Sequence, residues 1–435
     1  MNATAIRGFV LLALTALLLA ACGTASPPAG APPDEAGEET PEETAEGSTE
    51  ETAEGTAEET AEGTAASDES PIKIGASLSL SGDYARIAVD QREAYELYVA
   101  QVNENGGLLG RQVELVVYDD QSTPETGTRL YERLISEDQV DLIMGPYSSA
   151  VSGAMMPIAE RYEMVNIAPM ASSDELFQQG FTWSFQVITP ASLYLEGALE
   201  IMEEEGYTTF AYIGEDTAFP AALMDGLGQE AEARGLEMVF NQLYPKGTTD
   251  FTSLLAQVGA AQPDAIFGGT YVEDAVAITR QMQEQGVIAD IVALTVGAAE
   301  NEYAESVGDA AQHIMGASHW EPQLETPGNP EFIAAYQEKA GRDPGYHAAG
   351  SYAGISILGM AVEACQCLDQ EDIREEIINL ETETIFGPFD VDETGAQVGK
   401  TGVMVQWFDG QKEITWPFDI ATAEYLTPLA GWGER

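Results

Sequence analysis

The stretch Asp141–Leu176, DLIMGPYSSAVSGAMMPIAERYEMVNIAPMASSDEL, constrains the fold more than any other part of the chain. It reads strand, loop, helix, strand, loop, helix start. Asp141–Gly145 is a short apolar run closed by Gly-Pro, the pattern of a parallel strand buried on both faces. Ser148 and Ser149 stand where a helix should begin, and Met155, Met156, Ile158, Ala159 and Tyr162 follow at helical spacing. Val165–Ala168 is a second short strand. Pro169 ends it, and Ser172, Ser173 and Asp174 bring capping chemistry to the next helix. Two successive strand-to-helix turns therefore present small hydroxyl residues. A helix N-terminus offers free N–H groups and a partial positive charge; serine hydroxyls beside it would make a cradle for an anion or carboxylate. In an open α/β sheet such turns lie at the carboxyl ends of the strands, where ligands bind. The same serines serve equally well as plain helix caps, and this segment alone does not separate the two roles.

Ahead of this, Met1–Ala21 holds one basic residue, Arg7, and an apolar run from Gly8 to Ala21. Spanning a bilayer takes about 20 apolar residues, so the run fits the apolar region of a secretory signal peptide, residues 1–21. It ends Leu19-Ala20-Ala21-Cys22-Gly23, which resembles the bacterial lipoprotein signal. That resemblance implies cleavage before Cys22, a lipid on its thiol, and a protein held on the membrane facing the periplasm or cell exterior. A conventional signal peptide with a chance cysteine is the alternative. Residues 22–70 are rich in Pro, Ala, Gly, Thr and Glu and contain three near-identical octets, EETAEGST followed twice by EETAEGTA. They offer no large apolar side chain with which to build a core, so a disordered acidic tether is expected. Its 48 residues after the cysteine reach at most about 160 Å.

Beyond the tether, residues 71–435 are too long for one typical domain and suit two lobes. They carry 59 acidic and 16 basic residues, a net charge of −43. Such a surface disfavours nucleic acid as a partner. With only five lysines in the chain, it suits high salt, where self-repulsion is screened, or an alkaline habitat. Cys365 and Cys367, and the histidines His313, His319 and His347, lack the arrangement of a metal site, so no metal or cofactor is expected. The two cysteines read as ordinary thiols, with a strained local disulfide outside the cell as the alternative. Asp119 and Asp120 read as a turn feature. The run DVDETG at 390–395 is half a calcium loop, but Thr401 stands where the bidentate acid belongs. No nucleophile elbow, phosphate loop or serine with a partner histidine is present, which argues against an enzyme.

Taken in order, the folded part alternates strands and helices. Expected strands are Ile72–Ser79, Val113–Tyr118, Thr209–Gly214, Glu237–Tyr244, Ala265–Gly269 and Ile291–Thr295. Expected helices are about Val89–Asn103, Pro124–Ser136, Pro220–Arg234 and Asp274–Gln285, and a long apolar helix within RDPGYHAAGSYAGISILGMAVEACQ. The motifs SLSLSGDYA, ENGGLLGRQVELVVYDDQS, GPYSSAV, IAPMASS and PKGTTDFTSLLAQVGAAQPDAIFGGTY occur in that order. Together they resemble the leucine/isoleucine/valine-binding protein family, the type I periplasmic binding proteins of ABC importers, from about Ile72 to near the carboxyl end.

The resemblance implies two Rossmann-like α/β lobes joined by a three-strand hinge: residues 71–189 with 318–386, and 190–317 with 387–435. It implies a monomer that closes by its hinge on a branched-chain or related amino acid and hands it to an ABC permease in the membrane. The implied carboxylate donors are Ser149 and the hydroxyl and N–H of Ser172, and the Met170 carbonyl accepts from a ligand ammonium. Glu273 matches the family acid that pairs with that ammonium, and Phe219 and Tyr271 match aromatic contacts. Tyr84 and Tyr147 are placed to wall the pocket. Phe219, Met170 and Ser172 depart from the family's usual tyrosine, alanine and threonine. A sensing module for amides, urea or aromatic acids is the competing reading; the lack of a signalling segment after the lobes favours transport.

Overall fold

The structure is a computed structural model that describes residues 70–434. The signal peptide, Cys22 and the tether up to Glu69 lie outside the described residues. Five strands form a first sheet: β1 (Ile72–Leu78), β2 (Val113–Asp119), β3 (Leu142–Met144), β4 (Asn166–Ala168) and β5 (Ser184–Gln186), in the order β2-β1-β3-β4-β5. Every neighbouring pair is parallel. The second sheet takes β6 (Thr209–Glu215), β7 (Glu237–Tyr244), β8 (Ala265–Gly269), β9 (Ile291–Leu294) and β10 (Met315–Ser318), all parallel. A small hairpin, β11 (Thr382–Thr384) with β12 (Gly387–Phe389), follows. Two antiparallel strands, β13 (Val403–Phe408) and β14 (Gln411–Trp416), then extend the second sheet, giving the order β14-β13-β10-β9-β8-β6-β7.

The central strands are buried on both faces because helices cover both sides, so they read as apolar runs without alternation. All residues of β3, β4 and β8 are buried. Two helices begin at a capping side chain, Ser148 or Asp369, and several stop at left-handed residues. Ser148 caps the helix Ser149–Tyr162 through its Oγ, and Gly206, Gly235 and Gly286 end three others at φ between 67° and 76°. The helix Ala85–Glu104 starts four residues before the expected Val89, and Phe219 falls inside the helix Ala218–Arg234 rather than in the loop before it.

The chain passes three times between the sheets: after β5, after β10 and after β12. The helices Asn329–Ala340 and Tyr346–Cys365, which follow β10, return to pack on the first lobe. Gly354 of the long helix lies so close to β4 that an added Cβ would stand 3.3 Å from Ile167. That helix is 20 residues long and apolar enough to cross a membrane, but here it is core. At the third passage, Lys400 is buried and donates to the Phe386 carbonyl, with its Nζ 4.3 Å from the centre of the Phe386 ring. Burial pushes this amine down to about 7.

Two details depart from the expectations, and a third follows them. The remainder of the chain was expected in the second lobe from residue 387. Instead, residues 390–397 run beside β5: Gln186 N–H donates to the Gly395 carbonyl at 2.8 Å, and Gln397 N–H donates to Gln186 Oε1 at 3.1 Å. The chain enters the second sheet at β13. Cys365 and Cys367, expected as thiols, form a disulfide. The reason is local: the helix ends at Cys365, and Gln366 turns with φ 54°, which brings the two sulfurs together. Asp119 and Asp120 bind hydroxyls, as a turn feature should. Asp120 accepts from Ser77 at 2.9 Å and from Ser79 at 2.6 Å, and Asp119 accepts from Ser81 Oγ at 2.7 Å.

Gly395 is the one residue beside β5 that only glycine can fill. Its φ is +79°, and an added Cβ would lie 2.1 Å from the Ser184 carbonyl. A left-handed non-glycine residue costs about 1–2 kcal/mol before any clash. Gly395→Ala is therefore expected to destabilise the protein by about 2 kcal/mol or more, read as a fall in the calorimetric Tm; an unchanged Tm would show that the 390–397 segment does not dock on β5.

Candidate functional site

Parallel pairing sends the carboxyl ends of each sheet's parallel strands to one edge, and the site is built from the segments that leave those ends. Tyr84 follows β1, Tyr147–Ser149 follow β3, and Met170 and Ser172 follow β4. Ile188 follows β5, Phe219 follows β6, Tyr271 follows β8, Val296 follows β9 and His319 follows β10. Tyr346 and His347 open the long helix. A small cavity of about 10 Å³ lies among them, lined by Tyr147, Ser148, Ser149, Met170, Ser172, Ile188, Tyr194, Phe219, Tyr271, Val296, Tyr346 and His347. That is room for about one water molecule, far below the roughly 300–1,000 Å³ of small-molecule sites, so a ligand enters only as the two lobes part.

One end of the cavity is the pair of serine turns. Ser149 Oγ accepts from the backbone N–H of Ser172 at 3.2 Å and of Ser173 at 3.0 Å. The two strand-to-helix turns are thus stitched together by one hydroxyl, whose own proton remains to be donated. The N–H groups of Ser149 and Ala150 begin a helix and have no intrahelical acceptor. Ser172 donates its N–H to Ser149 and lines the cavity beside Tyr194. Ser148 is held at φ 73° and ψ 143°, a region that favours glycine, and its Oγ accepts from Val151 N–H at 3.3 Å. Such strained backbone gathers at ligand sites because the surroundings must enforce it.

Around the cavity runs a closed circuit of eight aromatic rings. Tyr84 lies 5.3 Å from Tyr271, centroid to centroid; Tyr271 lies 6.1 Å from Phe219, and Phe219 5.1 Å from Tyr194. Tyr194 is 4.2 Å from His319, His319 5.2 Å from Tyr346, and Tyr346 3.9 Å from His347. His347 to Tyr147 at 5.3 Å and Tyr147 to Tyr84 at 5.2 Å close it. Its members come from both lobes and the hinge. Burial raises the tyrosine hydroxyls well above their ordinary range at Tyr147, Tyr271 and Tyr346, which keeps them neutral. Burial, with the charge of Lys400, drives His319 well below the usual histidine range, so its ring is neutral too.

Two acids flank this girdle, in different ways. Glu300 is buried and accepts from or shares a proton with His347 Nδ1 at 2.8 Å. Burial is the largest influence and would raise it, but the His347 contact together with the charges of Lys412 and Arg86 holds it below the usual carboxylate range. Glu273 is not brought into the cavity. It is exposed and lines an outer recess with Tyr84, Glu215 and Lys246, because it occupies the outward side of the first turn of the helix Val272–Gln285. The inward residue of that turn is Asp274, which accepts from Tyr271 N–H at 2.7 Å and from the Tyr244 hydroxyl. Over the mouth, Lys246 pairs with Asp83 at 2.8 Å and stands 4.7 Å from the Tyr84 ring centre, and Arg86 pairs with Glu302. Both pairs join the two lobes.

Of the expected site residues, then, Ser149, Met170, Ser172, Phe219, Tyr271 and Tyr147 meet at one cavity, Tyr84 completes the girdle at its mouth, and Glu273 stands outside. Tyr194 and Tyr346 went unnoticed in the sequence, and His319 and His347 were weighed there only as metal ligands. For Tyr346 and His347 a signal existed, a Pro-Gly break just before an apolar helix. For Tyr194 and His319 there was none, since both sit on connecting segments. Among the described residues no group of His, Cys, Asp or Glu is arranged to hold a metal.

The family model described as periplasmic binding protein matches residues 71–412. The chain belongs to this family. A Leu/Ile/Val-binding protein homolog 7 from Brucella suis is 24% identical over 389 residues, covering 83% of this chain and 96% of that protein. Among solved structures, the branched-chain amino acid transporter substrate binding protein LivJ from Streptococcus pneumoniae, in complex with isoleucine, aligns with TM-score 0.72 at 21% identity, over 82% of this chain and 100% of its own. A solute binding protein of an ABC transporter from Rhodopseudomonas palustris, in complex with 3,4-dihydroxy benzoic acid, aligns with TM-score 0.72 at 22% identity, over 84% of this chain and 99% of its own. The fold is therefore the two-lobed α/β fold of type I periplasmic binding proteins, as expected.

Asp274 gives the site a pH dependence. Burial and the neighbouring Glu215 push its carboxyl up to about 7, against hydrogen bonds that pull it down. Raised in the folded state above its unfolded value of about 3.9, it contributes stability that is complete below about pH 4 and is lost as pH rises through about 7, since the folded state holds the extra proton in that window. Asp274→Asn is expected to remove this part of the stability–pH profile between about pH 4 and 7, measured by thermal unfolding in a pH series. Identical slopes for both proteins would show that Asp274 does not titrate there.

Proposed function

We propose that this protein is the lipid-anchored solute-binding component of an ABC importer, which closes its two lobes on a small amino acid or close derivative and presents it to a membrane permease. The observation that carries the reading is a cavity walled by residues from both lobes, with a serine cradle at one end and an aromatic girdle around the rest. A ligand touching both sides at once favours the closed arrangement by the difference in its contacts with open and closed states. The carboxylate would take the Ser149 hydroxyl and the N–H groups of that helix start; hydrogen bonds to a charged group contribute about 1.5–3 kcal/mol each. Met170 and Ser172 shape this end, and the rings of Phe219, Tyr271, Tyr147 and Tyr84 supply the remaining contact.

In this reading residues 1–21 direct export, Cys22 carries the lipid, and residues 22–70 are the leash that holds a monomeric receptor above the membrane. Nothing in the site suggests catalysis, and no cofactor is proposed. A second reading, a receptor for aromatic carboxylic acids, is favoured by the aromatic lining; the net charge of −43 on residues 71–435 opposes it by repelling an anion.

Three measurements test this. A native-state ligand raises apparent stability, so a thermal-shift panel of amino acids, amides and aromatic acids should yield at least one clear rise. Ser149→Ala should weaken that ligand about tenfold or more, the loss of one charge-assisted hydrogen bond; equal affinity would remove Ser149 from the site. Metabolic labelling with an alkynyl fatty acid should mark the exported protein and leave Cys22→Ala unmarked, whereas a labelled Cys22→Ala protein would sink the anchor.

A further inference from the structure

The girdle narrows the ligand, on the footing that the cleft is a solute site. A primary ammonium brings three N–H donors, and burying them unpaired is costly. The buried carboxylate behind the cavity wall, Glu300, already engages His347 at 2.8 Å. The acid matched to an ammonium by family resemblance, Glu273, is exposed in the outer recess. Among the residues lining the cavity there is no lysine, arginine, aspartate or glutamate. What surrounds the cavity is aromatic: six of the eight rings line it directly, and successive rings are tilted by 30° to 69°, so the circuit wraps the space instead of forming one flat stack.

A cation held by aromatic faces needs no hydrogen-bond acceptor, and aromatic cages are the known solution for quaternary ammonium groups. The chain already makes one such contact at the mouth, Lys246 over the Tyr84 ring at 4.7 Å. The acidic surface adds to this. It repels a plain carboxylate but is indifferent to the net charge of a zwitterion and attracts its cationic end.

We propose that the girdle is a box for a quaternary ammonium, and that the ligand is a small betaine-type zwitterion. Its carboxylate lies on the Ser149 cradle and its N-trimethylated end lies within the rings. The box then discriminates by what it lacks. A primary amine would enter without acceptors for its N–H groups, and an aromatic acid would bring no positive charge to the ring faces.

Titration calorimetry on the whole protein at fixed salt decides it, with four probes: trimethylglycine, its carbon isostere 3,3-dimethylbutanoate, which keeps the carboxylate and lacks the positive charge, leucine and benzoate. Trimethylglycine is expected to bind about tenfold or more tightly than 3,3-dimethylbutanoate, since the two differ in the positive charge and hardly in shape. Tyr147→Phe should retain most of the affinity and Tyr147→Leu should lose about tenfold, with circular dichroism confirming that both fold. Equal affinity for trimethylglycine and its isostere would overturn the box, as would tighter binding of leucine or benzoate; in those cases the solute-binding reading stands, because a small ligand still occupies the cleft. Failure of all four probes to bind the folded protein overturns the box, and only a continued lack of any ligand across the wider thermal-shift panel would carry the solute-binding reading down with it.

Discussion

The structure depends first on the parallel pairing of short, doubly buried strands. An antiparallel meander could connect such strands by tight turns at both edges. A parallel sheet cannot: each strand must return through a helix, so every carboxyl end in a sheet faces the same way. In this protein that rule gathers Tyr84, Tyr147, Ser149, Ser172, Phe219, Tyr271 and His319 at facing sheet edges, although they span residues 84 to 319. The apolar core does not stop at the lobes. One continuous cluster of buried side chains runs from β1 through Tyr84, Tyr147 and Tyr271 into β6 and β8. Packing of the interior and formation of the cavity are therefore the same event.

Electrostatics act on a longer scale. With 59 acidic and 16 basic residues between 71 and 435, cations are scarce, and where they sit is informative. Lys246 and Arg86 join the lobes across the mouth, each with an acid from the other side. Arg342 gathers Asp90 and Glu93 of the helix Ala85–Glu104, and Lys339 pairs with Glu96 of the same helix. Lys400 is spent inside the hinge. Exposed pairs contribute little individually, about 0–1 kcal/mol, but here they relieve repulsion between acids that would otherwise face one another. Lining the cavity, by contrast, are rings and hydroxyls, with no lysine, arginine, aspartate or glutamate.

Much of the architecture was legible in the chain. Pro124–Ser136, Glu237–Tyr244 and Ala265–Gly269 form as read, to the residue. They do so because apolar runs, a Pro at the helix start and polar turns all pointed to the same answer there. The cradle was legible for the same reason: Ser148 and Ser149 follow a strand and precede a helix. The strands β13 and β14 were not resolved as a hairpin, and the 390–397 segment was assigned to the other lobe. Both are decided by non-local partners, the exposed edge of β10 and the edge of β5. The disulfide turned on the backbone angle of a single residue, Gln366, which two cysteines in a string do not reveal.

By itself, the sequence determined the alternation of strand and helix, the position of the ligand end of each sheet, the acidic surface and the hydroxyls of the cradle, because each follows from local period, turn chemistry or composition. Only the tertiary structure decided that Glu273 faces outward while Asp274, one residue on, supports Tyr271 from within. A helix turns about 100° per residue, so neighbouring acids point in different directions, and which of them meets the cavity depends on how the whole helix is set against its sheet. The girdle is decided in the same way. Eight rings from residues 84 to 347 close a circuit only when two lobes and a hinge are in place, and no spacing along the chain encodes that distance.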